Sequence, residues 1–244
     1  MIFAMSQAEG VAATAAKGNS SISNFTKYIE SYQDKVKARN PEGMVMPFLS
    51  NHDMDRIGGS FILENNMRMA ANLYLLCTGS PVIYYGEEIG IRGSRGSEST
   101  DANRRLAMLW GDEDIIRDPV GSTYPKDKQI KSTVAEQTED AGSMYNYYCK
   151  LLAIRHKYPA IARGDYSSVS CGQKNLGGFI IEYEGESLIL IHNTSTSEIS
   201  YDLSKCADLG EIVISEICDY IGVADARLEG TTLIIGPQTS VLIK

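Results

Sequence analysis

The residues best equipped for chemistry crowd into one stretch. "MVMPFLSNHDMDR", residues 44–56, runs through mostly apolar positions and then packs Asn51, His52, Asp53, Asp55 and Arg56 into one short turn. Three chemistries suit that set. Asn51 or Asp53 can cap a following helix, because a short side-chain oxygen accepts from the free N–H groups of its first turn. His52, Asp53 and Asp55 can act as metal ligands, although no further histidine lies nearby and the spacing is unspecific. Alternatively, Asp53 is a catalytic carboxylate, with His52 and Asn51 as polar neighbours that orient it.

Such a turn needs a support. Three short apolar runs, at 2–5, 44–49 and 81–85, read as parallel strands buried on both faces, which explains their lack of clean alternation. Between them lie helical patterns. Phe25, Tyr28, Ile29, Tyr32 and Val36 paint one apolar face, with Ser23 or Asn24 as cap and Asn40-Pro41 as stop. A second helix over about 62–77 is apolar almost all round in "MAANLYLLC" and ends at Gly79-Ser80-Pro81. A third, over 143–157, carries Met144, Tyr148, Leu151 and Leu152 on one side and stops before Pro159. Strand alternating with helix implies α/β architecture. In a βα barrel the active groups stand at the C-terminal ends of the strands, and Asn51, His52 and Asp53 follow 44–49 in that way.

After about residue 166 the pattern changes to short β-branched runs: "SSVSC", "GFIIEY", "SLILIHN", "EISYD", "EIVISEI", "TTLIIG" and "SVLIK". Runs of this length and spacing predict an antiparallel β-sandwich with its own core. The expected organisation is thus two domains, 1–165 and 166–244, joined near Arg163-Gly164-Asp165. The polar stretch "GSRGSEST" at 93–100 reads as a mobile loop.

Composition narrows the partners. The 244 residues are 43% hydrophobic, enough for a substantial core. A net charge of −8 and a pI near 5.0 argue against nucleic acid or an anionic membrane as partner. No apolar run is long enough to span a bilayer. The first ten residues lack the basic start and apolar core of a signal peptide, which leaves the compartment open, cytoplasmic or secreted. Five scattered cysteines with no CxxC pair fit reduced thiols better than a disulfide framework.

Four segments carry a resemblance. "FLSNHDMDR" resembles the strand-seven motif F-x-x-N-H-D-x-x-R of the α-amylase family, glycoside hydrolase family 13, and "GSPVIYYGEEIG" resembles its strand-eight motif G-x-P-x-x-Y-Y-G-x-E-x-G. "DANRRLAMLW" matches D-x-N-x-R-x-P-M-x-W at Asp101, Asn103, Arg105, Met108 and Trp110, with Ala107 in place of proline. "YYCKLLAIRHKYPAIARGDY" is similar to the last barrel helix and its exit into a small β-domain. The resemblance covers nearly the whole chain and implies a partial (β/α)8 TIM barrel, about strands six to eight, followed by the sandwich.

It also implies a retaining glycosidase acting on α-linked glucose polymers such as starch and maltodextrins. That chemistry needs a nucleophile and an acid/base carboxyl about 5–5.5 Å apart around an oxocarbenium-like transition state. Asp53 matches the family's third carboxylate, which holds sugar hydroxyls and stabilises developing positive charge. His52, Asn51 and Arg56 match neighbouring positions that bind the substrate, and Asp101 and Arg105 match positions that contact a neighbouring glucose unit. Trp110 offers an apolar face to sugar, whereas Tyr84 and Tyr85 read as core. Of Glu87 and Glu88, at most one can face the site if both lie on a strand. His156 and His192 read as surface and structural, respectively.

The family's other two carboxylates, after strands four and five, have no counterpart here. The chain therefore reads as the C-terminal part of an amylase, starting inside the barrel at "FAMSQAEG". It is expected to be inactive alone, to expose barrel edges through which it either self-associates or adapts by rearranging its N-terminal segment, to need no cofactor and to hold no metal; the resemblance leaves room for calcium only in the full-length protein. The rival reading is a non-catalytic carbohydrate-binding or partner-binding relative that keeps the fold.

Overall fold

The computed structural model describes every residue except 97–98, 112–115 and 211. Six α-helices precede a β-rich half: α1 (Val11–Ala16), α2 (Ile22–Lys37), α3 (Glu64–Leu75), α4 (Val134–Glu139), α5 (Met144–Lys157) and α6 (Pro159–Arg163). In α2, Ser21 rather than Ser23 or Asn24 supplies the cap, accepting from Ser23 N, and Lys35 and Lys37 face the negative end of the helix dipole. Ser143 caps α5 through Asn146 N, and the buried stripe is Met144, Tyr147, Tyr148, Leu151 and Ile154. Leu152, expected inside, is exposed, since a stripe through 144, 148 and 151 continues to 154 or 155. Helix α3 has no basic residue in its last turn. Arg155 of α5 does that work: its Nη1 donates to Leu75 O at 2.8 Å and Cys77 O at 2.6 Å, and its Nη2 donates to Gly79 O. Gly79 sits at φ +88, where a Cβ would lie 2.1 Å from Val45 O, so no larger residue fits this turn.

The expected barrel strands do not form. Among the described residues no strand precedes Asp165: 2–5 contains a 3-10 turn at Phe3–Met5, and 44–49 and 81–85 are extended without pairing as strands. The segments do touch. Ile2 N donates to Met46 O at 3.0 Å, Gln7 N to Leu49 O at 2.8 Å, Ser80 N to Val45 O at 2.9 Å and Val82 N to Pro47 O at 2.9 Å. Each of these bonds is donated by a neighbour and accepted by 44–49. A parallel ladder needs every strand to donate and accept in alternation, and Pro47 has no N–H to offer. An apolar run identifies a buried segment; whether it becomes a strand depends on neighbours that can reciprocate. The partial TIM barrel expected from the resemblance is therefore corrected to helices with extended connections.

The second half is two antiparallel, unclosed sheets in a sandwich-like arrangement. One sheet has the order β1 (Asp165–Gln173), β2 (Leu176–Tyr183), β3 (Glu186–Asn193), β8 (Thr239–Ile243), β5 (Ile217–Gly222). The other has the order β4 (Ile199–Asp202), β7 (Thr232–Ile235), β6 (Ala226–Glu229). The run "EIVISEI" is not a strand over 212–216, and Glu211 lies outside the described residues, as do Ser97 and Glu98 of the expected loop. Pairing with β8 begins at Ile217 and continues through "CDYIG", while β6, with its polar "ARLE", has no apolar signature to betray it.

The central strands of the five-stranded sheet, β2, β3 and β8, are buried on both faces. Tyr166, Phe179, Ile181, Leu188, Leu190 and Leu242 join the helices in one apolar cluster, whereas Val169, Cys171, Ile180, Ile189, Ile191, Val241 and Ile243 join the three-stranded sheet in a second. Neighbouring side chains on a strand point to opposite faces, so "FII" at 179–181 and "LILI" at 188–191 must be apolar at every position. Each fully buried aliphatic side chain stabilises by about 1.5–3 kcal/mol relative to exposure. The two halves are thus welded through one core. A buried polar seam accompanies it: Gln33 donates to Thr78 Oγ1 and Gly164 O and accepts from Tyr166 N, all at 2.9–3.0 Å.

Candidate active site

The Asn51 side chain builds the turn. Its Oδ1 accepts from Asp53 N at 2.9 Å, an Asx turn, and Met54 N closes on Asn51 O at 3.2 Å. Asn51 therefore shapes the loop, and the 3-10 turn that follows, Ile57–Ser60, has no side-chain cap. Asp53 is left facing outward, with 67% of its side chain exposed. Its Oδ2 lies 3.3 Å from His52 Nε2 and its Oδ1 lies 3.3 Å from Arg105 Nη2, while Arg105 Nε donates to His52 O at 3.1 Å. One exposed carboxylate is thus flanked by an imidazole and a guanidinium.

Asp101 comes from a separate element, the 3-10 turn Asp101–Arg104 capped by Thr100 Oγ1. Arg104 joins that element to the 51–56 turn. Its Nε donates to Asp55 Oδ1 at 2.8 Å, and its Nη1 to Asp53 O at 2.9 Å and Asp101 Oδ1 at 3.1 Å. Arg95 adds its backbone N to Asp55 Oδ1 at 2.9 Å and its Nε to Asp101 Oδ1 at 3.4 Å. Arg95 and Arg104 escape sequence reasoning: in "NRR" nothing marks the first arginine as a clamp. Each pair here is solvent-exposed enough to contribute below about 1 kcal/mol, so the network gives geometry rather than stability.

Arg56 does not join this rim. It is 2% exposed and forms the floor beneath the turn. Its guanidinium stacks 4.5 Å from the ring centres of both Tyr84 and Tyr85, and Nη1 donates to Tyr85 O at 2.6 Å and Nη2 to Leu106 O at 3.3 Å. Tyr84 Oη donates to Arg104 O at 3.1 Å and Tyr85 Oη to Leu106 O at 2.8 Å, so both tyrosines support the loop. Gly86, at φ +83, lets the chain turn directly behind this stack.

Glu87 and Glu88 lie on a 3-10 turn, Glu87–Ile89, rather than a strand. Glu87 is buried and accepts from Tyr74 Oη at 2.6 Å, Tyr148 Oη at 3.1 Å and Ser50 Oγ at 3.1 Å. Burial pushes its carboxyl up to about 7, against the pull of those three donors. Ser50 immediately precedes Asn51, so this buried carboxyl anchors the root of the turn. Burial also raises Glu88. Among the described residues no three His, Cys, Asp or Glu side chains are grouped to hold a metal ion. Chemically, the rim offers the Asp53 carboxylate, the most exposed of its three, facing solvent with His52 and Arg105 on two sides. That suits holding hydroxyl groups or a developing positive charge.

Comparison with known proteins gives the family. The sequence profile of the family "Alpha amylase, catalytic domain" matches residues 1–164. "Alpha-amylase 3" of Dictyoglomus thermophilum is 30% identical over 224 residues, covering 89% of this chain and 42% of that protein. "Alpha-amylase SusG" of Bacteroides thetaiotaomicron is 33% identical over 183 residues, covering 72% of this chain and 26% of that protein. Among solved structures, Eubacterium rectale Amy13B superposes with a TM-score of 0.86 at 30% identity, covering 99% of this chain and 47% of that one. These relationships define a carbohydrate-active hydrolase lineage. Within it, the chain belongs to the α-amylase family, glycoside hydrolase family 13. It spans less than half the length of each of these relatives.

Proposed function

We propose that this chain contributes the third-carboxylate side of a retaining α-glucan hydrolase site acting on starch or maltodextrin. Asp53 holds sugar hydroxyls and stabilises positive charge as it develops at the anomeric carbon, a preorganised electrostatic effect. His52 donates to the same ring, Arg105 and Asp101 contact the neighbouring glucose unit, and Asn51 and Arg56 keep the turn in shape. The observation that carries this reading is the exposed Asp53 carboxylate held between His52 and Arg105. The division into 1–165 and 166–244 follows from the same reading, and the matched family segment supports it by stopping at residue 164.

Retaining hydrolysis takes two further carboxyl groups, a nucleophile and an acid/base, and their motifs are missing from these 244 residues. The chain by itself therefore turns over no glucan. Purified chain incubated with soluble starch is expected to release no reducing sugar above a blank. Titration with maltoheptaose is expected to show weak saturable binding that Asp53→Ala removes. Turnover would refute the inactivity, and binding indifferent to Asp53→Ala would refute the role assigned to that residue.

A further inference from the structure

The inner core of the sandwich holds a feature that the sugar site does not use. Cys171 lies on β1 with its side chain turned inward, and Cys206 lies between the 3-10 turns Leu203–Lys205 and Ala207–Leu209. Both are buried, at 3% and 4% exposure, in the same apolar cluster. Two contacts fix the segment carrying Cys206 against β1. Cys206 Sγ lies 3.5 Å from the Ser170 carbonyl oxygen, which belongs to the peptide bond leading into Cys171. Asp208 Oδ2 accepts from Ser170 N at 2.8 Å. Within this frame the Cys206 thiol lies near enough to Cys171 to add to the rise in its pKa that burial causes. The other cysteines stand apart: Cys77 follows α3 in the other core, Cys149 is exposed on α5, and Cys218 is half-buried on β5.

We propose that Cys171 and Cys206 are a redox modification site, a dithiol that a low-molecular-weight disulfide converts to an intramolecular disulfide joining β1 to the connection after β4. In the first step one thiol, as thiolate, attacks the small disulfide, forms a mixed disulfide and releases one small thiolate. The second protein thiolate attacks the protein sulfur of that mixed disulfide and releases the other. The protein thiols lose two electrons and two protons, and the small disulfide becomes two thiols. A disulfide needs Cα atoms about 4.4–6.8 Å apart, and two thiols buried in one cluster, on segments pinned to each other at Ser170, need only a local adjustment to reach that geometry. Burial pushes the Cys171 thiol up to about 12, so exchange in the folded chain is slow and proceeds during folding or local opening. Closing the long loop between the two positions restricts the unfolded chain and stabilises the fold.

The full chain, reduced and unfolded in guanidinium chloride, is refolded in a buffer of reduced and oxidised glutathione. Thiols are then trapped with N-ethylmaleimide and the digest mapped by mass spectrometry. The expected result is a dominant 171–206 cross-linked peptide with three of the five thiols alkylated. The oxidised chain should also unfold at higher denaturant than the same chain reduced. Five alkylated thiols at every redox ratio would overturn the proposal. So would 171–206 peptides no more abundant than pairings of Cys77, Cys149 or Cys218. A Cys149→Ser chain, which removes the exposed thiol, is expected to keep the 171–206 link.

Discussion

Two buried ionisable groups beneath the turn decide how firmly Asp53 is presented. Arg56 has its planar guanidinium against an edge-to-face pair of tyrosine rings and on two carbonyls. Lysine cannot reproduce that stack or the fork of donors. Arg56→Lys is expected to destabilise the chain by about 2–3 kcal/mol in urea denaturation, with a steeper loss of any maltoheptaose binding than of stability. Glu87 gives a pH signature. Its carboxyl moves from an ordinary 4.5 to about 7 because it is buried. The folded chain therefore keeps a proton that the unfolded chain releases between those values. The resulting stabilisation is complete below 4.5 and is lost as pH rises through 7, on the order of 3 kcal/mol at most. Glu87→Gln should flatten that part of the stability–pH curve; an unchanged slope would show that Glu87 titrates normally.

At the level of elements, the joint between helices and sheet is polar as well as apolar. Asn72 of α3 accepts from Tyr147 Oη at 2.7 Å and donates to Ile221 O at 3.1 Å and Ser240 Oγ at 2.9 Å. Ser240 Oγ also meets His192 Nδ1 at 2.7 Å. Asn72→Ala strands three buried partners and is expected to cost about 3 kcal/mol, read as a lower denaturation midpoint. His192 opposes Glu87 in acid. Burial lowers it from 6.5 to about 3, so the unfolded chain takes up a proton there that the folded chain refuses. Stability therefore falls as pH drops from 6.5 towards 3. His192→Gln should blunt that acid loss, whereas Glu87→Gln should leave it.

On the scale of the whole molecule, the segments around 2–5, 44–49 and 81–85 leave apolar side chains uncovered: Phe3 is 59% exposed, Met44 54%, Met46 39% and Tyr85 40%. Unpaired backbone beside such side chains invites pairing with another copy. The net charge of −8 opposes close approach, so association should strengthen with salt. Sedimentation velocity at rising concentration is expected to show oligomers, and Met46→Lys to suppress them. A single monomer species across that range, at high salt, would argue that this face is passive. Among the described residues no helix is long and apolar enough to cross a membrane.

Local patterns in the chain were enough to mark the helices around 25–36, 64–75 and 144–157, the change to β structure near 165, and the turn bearing His52 and Asp53. Each rests on interactions between near neighbours: helical periodicity, Ser143 as cap, Asn51 closing onto Asp53 N. The tertiary structure decided the rest. Arg56 became floor instead of rim because Tyr84 and Tyr85 closed around it, and Arg155 capped α3 from another helix. The runs at 2–5, 44–49 and 81–85 stayed unpaired as strands although apolar, and "EIVISEI" yielded its place beside β8 to "ICDYIG". Hydrophobicity is a property of each residue and can be read along the chain. Hydrogen-bond partnership is a property of pairs distant in sequence, and it exists only once the fold has brought them together.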